Sequence, residues 1–305
     1  MTEVQPVWTA AECLTCLVTI AYEILHTSTS DPYLHLRGMK KTYEILKEFT
    51  IGDLPTEIAN KIYRMIINLT QNQDPFKEIK KQSNTLAKVA IDRIQEHVLA
   101  SQDPCKRLCN ALSAAVAGNV IDFGTAGHSI ELNMDYFEQM YHQITTEGFA
   151  IDHSARLFEA LSKAKEICYL ADNAGEIYFD WFLLNEIKSR GVKTIFVVKG
   201  APISNDATLE DVNDPIFQEV ATKIITTGTN ALGVSLSEIS QELRDYLQNV
   251  DFILAKGQSN FETLFYYHKE FTKKPIYFIF RTKCTCIATF IGQTIGKNIV
   301  LQKKL

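Results

Sequence analysis

Two carboxylates and a carboxamide, Asp172, Asn173 and Asp206, stand in polar stretches that each follow a short apolar run. Such a set offers only oxygen donors. It suits a hard divalent ion such as Mg²⁺ or Mn²⁺, with water completing the coordination. Asp172 reads equally well as a helix N-cap, and so does Asp206 for a helix near Leu209. Lys256-Gly257 follows another apolar run and precedes a helical stretch. Lys256 would supply a point charge there, and Gly257 would let the backbone approach an anion at a helix N-terminus. An ordinary strand-to-helix turn with a solvated lysine is the competing account. Gly-x-x-x-x-Gly-Lys-Ser/Thr is absent, as is Gly-x-Gly-x-x-Gly after the first run, which argues against a Walker-type loop and a nicotinamide dehydrogenase.

The thiols and imidazoles carry weaker signals. Cys13 and Cys16 lie one helical turn apart and could ligate zinc with Cys105 and Cys109, or act in redox chemistry. Reduced thiols on apolar helix faces are the plainer reading. Cys284 and Cys286 alternate along a strand-like run, so at most one should face the polar rim. The seven histidines are scattered, and only His128, after the glycine-containing loop from Gly118 to Gly127, invites a test.

These residues need elements to position them. Apolar residues recur at helical spacing through the first half, as in Cys13, Leu17, Ile20 and Ile24. Asp31-Pro32, Asp74-Pro75 and Asp103-Pro104 each pair an acidic N-cap with proline at the first helical position. Another helix spans Pro55–Leu69, and Gly118 should end the helix that begins near Pro104. From about Glu166 the pattern changes. Apolar runs at Ile167–Ala171, Thr194–Val198, Lys223–Thr227, Val250–Ala255 and Pro275–Arg281, with a weak sixth at Ile299–Leu301, alternate with amphipathic stretches. These stretches are Ile177–Ser189, Leu209–Val220, Ser237–Gln248 and Phe261–Tyr267. Alternation of this kind predicts an α/β fold, a mostly parallel sheet sandwiched between helices, preceded by a helical region. The boundary falls in Gly148–Lys165, giving a helical region over 1–150 and an α/β domain over 151–305. Ligands bind at the carboxyl ends of parallel strands, where the five polar stretches would gather.

Composition bounds the function. The chain has 305 residues, 46% hydrophobic and 22% charged, enough to bury a full core. Its net charge of −5 argues against a general nucleic-acid partner. No apolar run reaches the roughly 18 residues that a membrane span needs. No basic-then-apolar leader precedes the first helix, and the odd cysteine count fits reduced thiols, so a cytoplasmic location is expected.

Longer motifs sharpen this. Asp172-Asn173-Ala174-Gly175-Glu176, Pro202-Ile203-Ser204-Asn205-Asp206-Ala207-Thr208 and Lys256-Gly257-Gln258-Ser259-Asn260-Phe261-Glu262-Thr263-Leu264 resemble signatures of the metal-dependent damage-control phosphatases. Cys13-Leu14-Thr15-Cys16, Asp74-Pro75-Phe76, Gly118-Asn119-Val120-Ile121-Asp122-Phe123 and Lys283-Cys284 resemble further family segments in the same order. The N-terminal CxxC is similar to the stand-alone prokaryotic-type branch. The resemblance implies a helical part packed on an α/β/α sandwich and hydrolysis of phosphate monoesters of small metabolites. It implies Asp172, Asn173 and Asp206 as ligands of Mn²⁺, Mg²⁺, Co²⁺ or Ni²⁺. Lys256 is carried over as a phosphate contact. Asn119, Asp122, Asn205, Gly257 and Asn260 are the expected substrate contacts, although Asn119 and Asp122 read equally as a helix C-terminal turn with a local Asx bond. Water attack polarised by Asp172 or Asp206 is the favoured mechanism, with a phospho-aspartyl intermediate as the other. Two rival functions remain: an S-adenosylmethionine-dependent methyltransferase, which lacks its Gly-x-Gly turn, and a phosphometabolite-binding protein without turnover. The oligomeric state is not encoded legibly.

Overall fold

A computed structural model describes residues 9–120 and 134–303. Asp122 and His128 lie outside the described residues. Six helices come first: α1 (Ala11–Ser28), α2 (Pro32–Leu46), α3 (Pro55–Thr70), α4 (Lys77–Leu99), α5 (Pro104–Val120) and α6 (Met134–Glu147). The predicted caps hold at two of three sites. Asp31 accepts from the Tyr33 amide, and Asp103 accepts from the Cys105 amide at 2.8 Å. Asp74 caps nothing. The helix starts three residues later, and the Asp74 carboxylate pairs with buried Lys80 at 2.9 Å. Gly118 does not end α5, which continues to Val120. Its missing side chain lets α5 approach α8, since a Cβ there would lie 2.9 Å from the Phe179 Cβ.

The α/β part follows: β1 (Ile151–Asp152), α7 (Ser154–Leu161), β2 (Glu166–Leu170), α8 (Glu176–Ser189), β3 (Lys193–Val198), α9 (Pro215–Val220) and β4 (Lys223–Thr226). Then come α10 (Gln241–Asn249), β5 (Phe252–Lys256), α11 (Gln258–Phe271), β6 (Ile276–Arg281), α12 (Thr285–Phe290) and β7 (Asn298–Lys303). All six apolar runs are strands, so the expected α/β architecture stands. Strand β1 was not foreseen, because two residues make no pattern. The helix expected from Leu209 shortens to α9, since residues 209–214 form turns until the Asp214-Pro215 cap sets the start.

The sheet order is β1-β7-β6-β5-β2-β3-β4. Pairing is parallel except between β6 and β7, which run antiparallel. The chain leaves β2 toward β3 and β4, then returns to place β5 on the other side of β2. The strand order therefore reverses between β2 and β5, and a crevice opens outside their carboxyl ends.

Three apolar clusters hold this together. One face of the sheet packs on α4, α5, α7, α8 and α9. The other packs on α10, α11 and α12. Helices α1, α2 and α3 bury a core of their own, with Ile62, Ile66 and Leu25 fully enclosed, and reach the sheet side through Ile203. These three helices form a cap beside the crevice. Among the described residues, no helix is long and apolar enough to cross a membrane.

Candidate metal and phosphate site

The loop after β2 and the loop after β3 lock together. Ala174 donates its amide to Asn205 O at 2.9 Å, Ala207 donates to Asp172 O at 2.9 Å, and Asn173 and Asp206 form a lone antiparallel bridge. Ser204 turns the second loop with φ at 47°, in the left-handed region that non-glycine residues seldom adopt. Asp172, Asn173 and Asp206, 34 residues apart at the extremes of that set, thus become neighbours by backbone pairing.

Their chemistry is that of an unsatisfied anionic pocket. Asp172 Oδ2 receives the carboxamides of Asn119 (3.1 Å) and Asn173 (3.2 Å). The same two amides also donate to Glu176 Oε2, at 2.9 and 3.2 Å. With its nitrogen spent on carboxylates, Asn173 is left with its carbonyl oxygen for a cation. Asp206 is 3% exposed, and its Oδ2 has no hydrogen-bond partner. Lys199 Nζ stands 3.5 Å from that atom but donates to Gly233 O at 2.6 Å. A buried carboxylate oxygen with one cation 3.5 Å away and no hydrogen bond is under-satisfied unless something else occupies the site. Burial, then the Glu176 and Asp206 charges, push Asp172 well above the usual carboxylate range. Burial raises Asp206 to about 6 against the pull of Lys199. A divalent cation would reverse both effects, so these residues fit one.

Glycine at 257 has a specific reason. Its φ is 79°, and any Cβ would overlap the Asp172 carboxylate. Gly257 therefore lets β5 press against the acid.

Two expected contacts are enclosed within the fold. Lys256 does not face the rim. It is 0% exposed, and its three N–H donors are taken by Glu176 Oε1 (2.6 Å), Asp180 Oδ1 (2.7 Å) and Ala115 O (3.0 Å). Burial would lower its pKa, but Asp180 and Glu176 more than offset that and hold it raised. The side chain turns under α8 because the paired acids, one helical turn apart, lie there. Asn260 is likewise buried and donates to Ala171 O and Lys256 O, tying α11 to the ends of β2 and β5. Asn119 supports Asp172 from α5, and Asn205 lines the cavity described next.

That cavity, of about 500 Å³, lies between the cap and the rim. Asp172, Asn173, Asn205 and Asp206 form one wall, and Leu17, Ile20, Tyr63 and Phe76 form the apolar roof. Lys283, exposed and among the lining residues, is the cation that could meet a phosphate, and its charge already acts on Asp172. Sequence reasoning quoted Lys283 without giving it a role. Glu176, which closes the first motif, was likewise given no role, and Asp180, four residues on among apolar neighbours, went unread, although acids at that spacing signal an inward pair.

The thiols and histidines depart from expectation too. Cys284 and Cys286 both line the cavity, because the segment is the start of α12 and not a strand. Cys13 meets Cys286, not Cys105 or Cys109; Cys109 instead points to Ser154. His97, Glu138 and His142 do cluster, with their ligand atoms within 4.8 Å of one another. His97 lies 13 residues along α4 from Asn84, which accepts the Gly175 amide beside the site, a span of about 20 Å. That cluster is separate from the oxygen-donor wall.

Comparison with known proteins agrees with this geometry. Residues 9–299 match the damage-control phosphatase ARMT1-like domain. The chain is 35% identical to an uncharacterised protein of Methanocaldococcus jannaschii, over 96% of this chain and 94% of that one. It is 33% identical to a damage-control phosphatase of Archaeoglobus fulgidus, over 94% and 96% of the two chains. A crystal structure of a DUF89 family protein from Pyrococcus horikoshii superposes with a TM-score of 0.86 at 30% identity, covering 97% of this chain and 99% of that one. A match across nearly the whole chain places this protein in the damage-control phosphatase family.

Proposed function

We propose that the protein hydrolyses phosphate monoesters of small metabolites, using a divalent ion held by Asp172, Asn173 and Asp206. The observation that carries this is Asp206 Oδ2, buried without a hydrogen-bond partner beside a second high-pKa carboxylate at the wall of the cavity under the cap. The all-oxygen donor set favours Mg²⁺ or Mn²⁺, and Co²⁺ and Ni²⁺ are reasonable alternatives. When bound, the ion would supply charge neutralisation to a phosphate's oxygens and lower the pKa of water.

The chain's own residues do the rest. Lys283 offers its ammonium to the phosphate. Asn119 and Asn173 hold the Asp172 carboxylate in one orientation. The cap excludes bulk water and limits the size of what enters. Lys256 acts at one remove, as the counter-ion that keeps Glu176 and Asp180 from repelling the site. Small phosphorylated compounds are of a size with a cavity of about 500 Å³. Seven unpaired cysteines are consistent with work in the cytoplasm, a reducing compartment.

Metal-stripped protein should release no phosphate from a panel of sugar phosphates and p-nitrophenyl phosphate until Mn²⁺, Mg²⁺, Co²⁺ or Ni²⁺ is added. Asp206→Asn should abolish that metal-dependent release while circular dichroism is unchanged. Full turnover in Asp206→Asn would overturn the assignment. Binding of the same compounds without turnover in the wild type would instead make this a metabolite-binding protein.

A further inference from the structure

Four cysteines line the same cavity, on the side away from the Lys256 network. Cys13 and Cys16 come from α1, Cys284 caps α12, and Cys286 is the second residue of that helix. Cys13 Sγ lies 3.8 Å from Cys286 Sγ. A tetrahedral ion with metal–sulfur bonds of about 2.3 Å places its sulfurs roughly 3.8 Å apart, whereas a disulfide needs about 2.05 Å. Among the described residues, no three of these thiols and Glu262 have their ligand atoms within 4.8 Å of one another, so a full ligand set needs side chains to turn about the Cys13–Cys286 pair. Cys16 is exposed and lines the cavity. Cys284 is held by two long bonds, from Gln258 Nε2 at 3.3 Å and from the Ile287 amide at 3.5 Å.

A second observation points to a ligand. Glu262, on α11 in the same cavity wall, is 8% exposed, and its Oε2 has no hydrogen-bond partner. Its other oxygen receives only Gln258, at 3.3 Å. A buried carboxylate with an unmade bond, beside four thiols that the hydrolytic site does not use, is a site short of positive charge. Redox thiols ordinarily have depressed pKa values. Here burial, and then Cys13, push Cys286 up to about 12, the direction a bound cation would reverse.

We propose that Cys13, Cys16, Cys284 and Cys286, with Glu262 beside them, form a second metal site for a thiophilic divalent ion such as Zn²⁺. Each thiol that ligates gives its proton to solvent. Soft sulfur donors and the hard oxygen set across the cavity select different ions, so one cavity would hold two metals of different character. The soft ion would tie α1 to α12 and fix the cap over the hydrolytic wall.

The test uses reduced, metal-stripped full-length protein in excess Mg²⁺, titrated with Co²⁺. Thiolate-to-Co²⁺ charge transfer in the near ultraviolet should appear and saturate at one equivalent, then vanish when Zn²⁺ displaces the probe. Cys13→Ser with Cys286→Ser should lose the bands, and the Cys105→Ser, Cys109→Ser variant should keep them. Cys16→Ser, at an exposed position where the fold is not at stake, should weaken Co²⁺ binding. Absence of charge transfer in the wild type overturns the proposal, as does its persistence without Cys13 and Cys286. Charge transfer requires sulfur, so Co²⁺ at Asp172 and Asp206 cannot mimic the signal, and the two assignments fail separately.

Discussion

Lys256 and Lys283 show how two lysines at neighbouring strand ends take opposite roles. The first is enclosed by Glu176 and Asp180 and saturated with acceptors. Removing one partner from a buried ion pair strands the other charges, at a cost of about 3–5 kcal/mol. Lys256→Met should therefore lower the urea midpoint sharply, and adding Asp180→Asn should recover part of the loss. Lys283→Ala should leave stability within about 0.5 kcal/mol and raise KM for phosphorylated substrates in initial-rate assays. Gly257→Ala would put a methyl into the Asp172 carboxylate and force a left-handed backbone on a non-glycine residue. It should weaken metal binding in calorimetry as well as cost about 1–2 kcal/mol. The direction of Lys256 was not legible in the sequence for a physical reason. Strand β5 is buried on both faces, so no apolar–polar alternation says which way its last side chain points. The nearness of Asp172 and Asp206 was legible, because the loops after adjacent parallel strands β2 and β3 leave the same end of the sheet.

At the level of elements, Asp-Pro punctuation and apolar runs specified most helices and strands, since each rests on local rules. What failed was non-local. Gly118 looks like a helix stop because glycine often is one, yet it is a contact point between α5 and α8. Gly118→Ala should cost about 1–3 kcal/mol through overpacking, read by thermal unfolding. It should also lower metal-dependent kcat, because the next residue, Asn119, is the one that holds Asp172. The cap was visible as helices, but nothing local said that it would roof the rim. Ile66→Ala, in the cap's own enclosed core, should destabilise by about 2–5 kcal/mol and, by loosening the roof, raise KM more than it lowers kcat.

For the whole molecule, the buried acids make stability depend on pH and on metal together. Asp180 and Asp206 are both raised to about 6. Glu262 is raised to about 7, and Asp172 well above its ordinary range, so from about pH 4 to 7 these sites hold more protons in the folded protein than in the unfolded chain, and the metal-free protein should lose stability as pH rises through that window. Metal affinity should run the other way, rising as these acids ionise. Melting temperatures in a chelator and in Mg²⁺ at pH 5 and 7.5 check both signs. The chelated protein should melt lower at pH 7.5, and the Mg²⁺-induced gain should be larger there. At a hundredfold excess over Kd a bound ion adds about 2.7 kcal/mol. Asp206→Asn should lose that gain.

The ends of the sheet bear on how copies of the chain meet. One border is the two-residue β1 and the other is the four-residue β4, which opens on exposed Lys223. Neither offers a long ribbon of vacant amides and carbonyls for another polypeptide to extend. Crowded copies would have to associate through helical flanks, leaving the crevice between β2 and β5 outside any strand-to-strand contact.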